Sequence, residues 1–344
     1  METSIARTST PAELARAIDR AVSALNDGEV VALPTETVYG LAADATRPDA
    51  VTKIFEAKER PFFDPLIVHL PEQNWLGRIA QQDDVFVLVE DLTQAFWPGP
   101  LTLILPRWSI VPDIVTSGLE TVAIRMSSHP VFRDVVRAFG RPVAAPSANR
   151  FGRISPTSAD DVVKELGGRI SLVVDGGMTT HGIESTIVKV EPDRLIILRA
   201  GPVTREDLEV FAPVEVGYPT STVEAPGQLQ SHYAPRTPLI LEERPFGLPG
   251  EQAPESGELS QISFGADRKI GVLAWKQPAF PIDCAAMEVL SLDGDFREAA
   301  ATLFAKMRRL DEAGLDFIVA EPVPEVGLGV AIMDRLRKAA AARG

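Results

Sequence analysis

Residues 30–70, VVALPTETVYGLAADATRPDAVTKIFEAKERPFFDPLIVHL, decide the fold. Val30 to Leu33 is an apolar run of strand length closed by Pro34, Ala50 to Lys58 carries a helical pattern, and Leu66 to Leu70 is a second strand-length run. Strand, helix and strand in succession read as α/β.

Upstream, Thr10 sits as an N-cap with Pro11 at the first helical position and Glu13 three residues after the cap, which predicts a helix to about Leu25. Downstream, Val85 to Phe96 continues the alternation. Further strands are expected at Leu101 to Leu105, Thr121 to Met126, Val143 to Ala145, Leu172 to Val174, Thr186 to Val190 and Leu195 to Leu198, and one large sheet would hold most of them. Thr204 caps a short helix over Arg205 to Val210. The stretch that follows is punctuated by Pro213, Pro219, Pro226, Pro235 and Pro238 and predicts an extended connector. Beyond it, strands at Leu239 to Leu241, Ile270 to Trp275, Val289 to Leu292 and Phe317 to Ala320, with helices at Phe296 to Leu310 and Gly329 to Ala341, predict a smaller α/β domain. Residues 247–257, rich in Gly, Pro and Glu, are expected to form a mobile surface loop.

A chain of 344 residues suits one large and one small domain, and 45% hydrophobic with 24% charged residues is ordinary globular composition. The N-terminus lacks the apolar core of a signal peptide and any acylation motif, so the expected compartment is the cytoplasm, with no membrane partner. Cys284 is the only cysteine, which excludes an intramolecular disulfide; it is expected to be a small core residue. The four histidines, His69, His129, His181 and His232, lack metal-ligand spacing, so no metal site of the protein's own is expected. A net charge of −14 repels polyanions over most of the surface, so no stable nucleic-acid binding is expected.

Neither a Walker A sequence nor a Gly-x-Gly-x-x-Gly turn is present, so phosphates would have to be held otherwise. Lys58-Glu59-Arg60-Pro61 places two cations where a helix ends, with Arg60 held extended by Pro61. Read alone, it also fits a solvated helix C-terminus, whose dipole favours cations. Pro34-Thr35-Glu36-Thr37 gathers hydroxyls and a carboxylate at the carboxyl end of a strand, where open α/β sheets bind ligands. His69 lies on a strand among apolar neighbours. Thr121 and Arg125 share one strand face, and the guanidinium suits either a ligand carboxylate or a structural ion pair. Ser147 and Asn149, Glu184-Ser185-Thr186 and Ser155-Pro156-Thr157 interrupt apolar runs with polar groups; the last reads as a helix N-terminus. Arg199 ends a strand before Gly201-Pro202, and Trp97-Pro98-Gly99-Pro100 shapes a turn.

Taken together, Pro34 to Gly40, Lys58-x-Arg60-Pro61, Trp97 to Thr102, Pro146-Ser147-Ala148-Asn149, Glu184 to Ile187 and Arg199-Ala200-Gly201-Pro202 resemble the YrdC/Sua5 family. Ala225-Pro226-Gly227 and Ser231-His232-Tyr233-Ala234-Pro235 resemble the linker of its long, Sua5 type. The resemblance implies a YrdC-like catalytic domain over 12–205, with a large twisted, mostly mixed β-sheet flanked by helices. A proline-rich linker over 206–237 and a Rossmann-like C-terminal domain over 238–344 would follow. It implies an enzyme that uses L-threonine, bicarbonate, ATP and the magnesium bound to it to make threonylcarbamoyl-AMP and pyrophosphate. The adenylate would serve the tRNA threonylcarbamoyl transferase machinery that modifies position 37 of ANN-decoding tRNAs. A non-catalytic double-stranded RNA or tRNA-binding module is the alternative. By the same resemblance Thr37, His69, Arg125, Ala145 and Ser185 would bind threonine, while Arg60, Asp64, Thr121, Ser147, Asn149, Ser155, Arg199 and Tyr233 would bind ATP. Lys58 and Arg60 would act on the phosphates, and His232 and Tyr233 would form a lid. Asp64 departs from the asparagine of many relatives, and an acid beside triphosphate needs a magnesium ion or a proton.

Overall fold

A computed structural model describes residues 2–217, 223–229, 232–246, 268–279 and 281–341. Two compact units form, one of Met1–Phe151 with Ser155–Leu229, the other of Gly152–Ile154 with Gln230–Gly344.

The first unit is built on β1 (Ser4–Arg7), β2 (Val31–Leu33), β3 (Gly40–Asp44), β4 (Ile67–His69), β5 (Leu101–Pro106), β6 (Thr121–Arg125), β7 (Val143–Ala144), β8 (Leu172–Asp175), β9 (Thr186–Val190), β10 (Leu195–Arg199) and β11 (Val214–Val216). These make one eleven-stranded mixed sheet in the order β1-β8-β2-β3-β7-β4-β6-β5-β9-β10-β11. Its helices are α1 (Pro11–Asn26), α2 (Pro48–Lys58), α3 (Leu76–Ile79), α4 (Phe86–Phe96), α5 (Asp113–Thr116), α6 (Pro130–Phe139), α7 (Ala159–Leu166) and α8 (Arg205–Leu208).

Local chemistry sets α1 as expected. The Thr10 hydroxyl accepts from Glu13 N and the Glu13 carboxylate accepts from Thr10 N, while Ala17, Ala21 and Leu25 recur every fourth residue and are buried. Alternation along β6 sorts its side chains between two faces. Val122 and Ile124 join the main core with Val89 and Leu92 of α4, whereas Ala123 joins Ile67, Ile104, Ile187 and Ala225 in a small apolar patch on the other face. Thr121 and Arg125 share that second face, which leaves room there for polar groups.

Several elements depart from the sequence reading. Ser4–Arg7, too polar to read as a strand, pairs parallel with β8 along the sheet edge. Helix α6 went unread, although Val131, Phe132, Val135, Val136 and Phe139 follow a helical period and are buried. Helix α7 is capped by Ser158, three residues beyond Ser155, through a box with Asp161. Within the proline-rich connector, β11 pairs parallel with β10, so part of that stretch is packed.

The second unit carries β12 (Leu239–Leu241), β13 (Ile270–Ala274), β14 (Ala286–Val289) and β15 (Phe317–Ala320), all parallel in the order β12-β15-β13-β14, with α9 (Phe296–Asp311) and α10 (Gly329–Ala340). This is a small Rossmann-like sheet. Strand β14 starts and ends three residues before its expected position, because it lies at the edge and takes its register from β13, Gly271 opposite Ala286. Cys284 is half-buried rather than a core residue, since it precedes that edge strand. The expected loop at 247–257 lies outside the described residues. Among the described residues, no helix is long and apolar enough to cross a membrane.

Candidate active site

Parallel pairing of β4 with β6 sets His69 opposite Arg125 at the carboxyl ends of both strands. Arg125 is buried with its Nη2 2.7 Å from Glu36 Oε1, and its Nε donates to the Gly99 carbonyl at 3.2 Å. The other Glu36 oxygen accepts from Ser127. Burial alone would raise the Glu36 pKa, but the Arg125 guanidinium and the Ser127 hydroxyl bring it down to about 2. Thus the ion pair that the strand pattern left open is present. Glu36 was quoted in its motif but not singled out. A buried arginine at a strand end demands a buried counter-charge, and that was the signal.

The hydroxyls beside this pair are fixed by local bonds. Thr35 Oγ1 accepts from the amides of Thr37 and Val38 and lies 2.8 Å from Thr37 Oγ1. Ser185 Oγ lies 2.8 Å from Thr102 Oγ1 and accepts from Arg199 Nη2 at 3.0 Å, while Arg199 Nε donates to the Ser185 carbonyl. The Ala145 amide donates to Ile67 O, which ties the exit of β7 to β4.

Gly201 holds this corner together. A Cβ there would lie 2.4 Å from Thr186 N, 2.6 Å from Ser185 C and 2.7 Å from Glu184 O, all backbone atoms that cannot yield cheaply. Gly201→Ala is therefore expected to cost about 1–3 kcal/mol and to displace Ser185, read as a lower melting temperature together with reduced activity. An unchanged melt would show that the corner is slack.

His69 is buried against the Phe132 ring, 4.8 Å between centroids, and its Nδ1 has no hydrogen-bond partner among the described residues. Burial, and then the nearby Arg125 charge, hold its pKa down at about 3, so the imidazole is neutral. The unfolded chain binds a proton near pH 6.5 that the folded chain refuses, so stability is full above pH 6.5 and falls as pH drops toward 3. Denaturant melts at stepped pH are expected to lose on the order of 2 kcal/mol between pH 6.5 and 4.5 from this group alone. His69→Gln should flatten that interval. An equally steep fall in the variant would assign the loss elsewhere.

The cationic cluster stands at the start of β4. Arg60 Nη2 is 2.9 Å from Asp64 Oδ2 and donates to Pro65 O, and Nε donates to Asp64 O. Asp64 is completely buried; burial raises its pKa, while Arg60, Lys58 and Arg199 pull the other way. The acid that stood out in the sequence thus has Arg60 as its counter-charge. Lys58 Nζ donates to the carbonyls of Ser147 and Asn149, and burial, then Arg60, hold its pKa well below the usual lysine value. Its amine therefore braces the loop that carries Ser147 and Asn149. Ser155 Oγ donates to Glu184 Oε1 at 2.5 Å, a second buried carboxylate that was not singled out. Thr121 opens β6 roughly 13 Å along the strand from Arg125 on the same face. Along β4 there are thus two centres, His69 with Arg125 and Ser185 at its carboxyl end, and Arg60 with Asp64 in the segment that enters it.

His232 and Tyr233 belong to the second unit. The Tyr233 ring is fully buried, stacked 5.4 Å from Phe304 and 5.1 Å from the Arg335 guanidinium, and its backbone takes φ 61°.

A family model described as "Telomere recombination" (Sua5_yciO_yrdC) matches residues 23–201, and one described as "Threonylcarbamoyl-AMP synthase, C-terminal domain" (Sua5_C) matches residues 203–341. The chain is 41% identical to a threonylcarbamoyl-AMP synthase of Bacillus subtilis over 95% of its own length and 93% of the relative's. It is 39% identical to the Pyrococcus abyssi protein of the same name, over 93% of this chain and 92% of that one. The crystal structure of P. abyssi Sua5 complexed with L-threonine superimposes with a TM-score of 0.86 at 36% identity, covering 99% of this chain and 98% of that one.

Proposed function

Because the chain belongs to the Sua5/YrdC family, in the long form that carries the Sua5 C-terminal domain, we propose that it is a threonylcarbamoyl-AMP synthase. The observation that carries this reading is the pairing of a buried, Glu36-clamped Arg125 with a neutral His69 at the carboxyl end of β4, with Arg60 and Asp64 in the segment that enters the same strand. Such a strip suits a small amino acid at one end and a polyphosphate at the other.

In the proposed course, the amine of L-threonine takes up carbon dioxide from bicarbonate, giving a carbamate. The carbamate oxygen attacks the α-phosphorus of magnesium-bound ATP, and pyrophosphate leaves. Threonine would sit with its carboxylate on Arg125 and its polar groups near Thr37, Ala145 and Ser185. Neutral His69 would add bulk and a hydrogen bond there without a competing charge. Arg60 and Arg199 would bear on the phosphates, and Lys58 would act by holding Ser147 and Asn149 in place, so catalysis rests on alignment and charge stabilisation rather than on a protein nucleophile. The nucleotide role of Tyr233 and the lid role of His232 and Tyr233 rest on the sequence resemblance, and a chain ending after Thr204 with full synthesis rate and product lifetime would remove them. The product would pass to the transferase that modifies tRNA.

Incubation with ATP, L-threonine, magnesium and carbon-13 bicarbonate, followed by mass spectrometry, tests the proposal. The expected product is a threonine adenylate that carries the label. An unlabelled threonyl-AMP would make the protein an ordinary amino-acid activating enzyme and sink the reading.

A further inference from the structure

On the opposite face of the first unit's sheet, a groove of about 480 Å³ opens between the start of α4, the β9–β10 turn and the segment that leads into β11. Four carboxylates, Asp83, Asp84, Asp91 and Asp193, line it around Phe86 and Val87, and no lysine or arginine does. Helix α4 explains the arrangement. It turns Val89 and Leu92 into the main core, which leaves Phe86 56% and Val87 69% exposed at its first turn. The floor is firm, because Val85, Leu88, Phe211 and Ala212 pack on that core and Phe211 meets Phe96 edge-on at 5.6 Å.

The charge around the groove is one-sided well beyond its lining. Residues 79–106 include Asp83, Asp84, Glu90 and Asp91 and no lysine or arginine; residues 206–217 include Glu206, Asp207, Glu209 and Glu215 and likewise none. Arg194, in the β9–β10 turn, is engaged by Glu191 at 2.7 Å, with Asp193 and Glu215 at 3.7 and 3.8 Å. Water tolerates two large apolar side chains on a surface, but ringing them with carboxylates of one sign raises the local negative potential at a cost in self-repulsion. A partner that brings cations and an apolar anchor relieves both.

We propose that this groove docks a cationic amphipathic segment of another protein, its apolar face on Phe86, Val87 and Phe211 and its lysines or arginines among the aspartates. A second copy of this chain, at net charge −14, would bring like charge to the groove, and RNA would be repelled by it. The groove is separate from the candidate active site: Val89 and Leu92 of α4 belong to the same core as Val122 and Ile124, whereas Thr121 and Arg125 project from the other face of β6. Docking here would tether a partner while the reaction face stays open.

The test uses the full chain and a fluorescent synthetic helix with leucine along one face and lysine along the other. Asp84→Lys/Asp91→Lys is expected to weaken binding about tenfold or more, and Val87→Ser about fivefold, while both variants keep the parent melting temperature and pyrophosphate release. Asp19→Lys/Asp27→Lys, the same charge change on α1 and its C-cap, should leave binding within about twofold. Equal weakening by the two double variants would reduce the effect to overall charge and overturn the proposal. So would tight binding of the helix with glutamate in place of lysine, tRNA binding by the parent chain that Val87→Ser abolishes, or self-association in sedimentation that Val87→Lys abolishes.

Discussion

Arg125→Leu is expected to lower kcat/KM for L-threonine by about a thousandfold or more and to cost about 3–5 kcal/mol of stability. The two losses have different origins. Activity falls because the carboxylate of threonine loses its cation. Stability falls because Glu36, buried beside Ser127 with its carboxyl held at about 2, is left charged without a partner. A double-mutant cycle separates them: Glu36→Gln in the Arg125→Leu background should restore a large part of the melting temperature and none of the activity. Arg125→Lys keeps the charge but has no second edge to share between Glu36, Gly99 and substrate, so it should fold and still lose affinity for threonine. Wild-type KM and turnover in Arg125→Lys would remove Arg125 from the threonine site.

Lys58→Met should produce the second large effect, a fall in kcat of about a hundredfold to a thousandfold. The side chain is buried and its Nζ spans the carbonyls of Ser147 and Asn149, so methionine fills the space but removes the donor from one buried and one part-buried acceptor. Each such acceptor costs about 1–3 kcal/mol, and the Ser147–Asn149 loop should loosen. The distinguishing readout is substrate-specific: KM for ATP should rise, while calorimetric threonine binding, which the proposal assigns to Arg125 and His69, should change little. Loss of threonine binding with ATP affinity intact would reverse the assignment of the two ends of the strip.

Features governed by short-range chemistry were legible in the sequence. Thr10, Pro11 and Glu13 declare the start of α1 within one turn, and the apolar run before His69 declares β4. The α/β class followed from such local signals, and the mixed sheet and the small parallel sheet agree with it, although β3, between β2 and α2, was not among the expected strands. What escaped was set by partners distant in sequence. β1 is polar and becomes a strand by pairing with β8, 168 residues on at Ser4 opposite Leu172. β11 forms among prolines because β10 offers it an edge, and β14 slides to the register that β13 dictates.

The site divides the same way. His69, Arg125, Lys58 and Arg60 stand out in sequence because a cation or an imidazole beside apolar runs demands an explanation. Glu36 and Glu184 draw their importance from Arg125 and Ser155, which lie far along the chain, so residue type alone did not single them out. Asp64 shows the reverse. It looked misplaced beside a phosphate site, and the Arg60 guanidinium 2.9 Å away supplies the reason it is tolerated.

The central claim is that one face of this sheet joins an amino acid to a nucleotide through a carbamate. Pyrophosphate release, measured with ATP, magnesium and bicarbonate in the presence and absence of L-threonine, tests it most directly. The account predicts release that requires threonine and bicarbonate together and collapses in Arg125→Leu. Release at the same rate without threonine, or none with all substrates present, would contradict it.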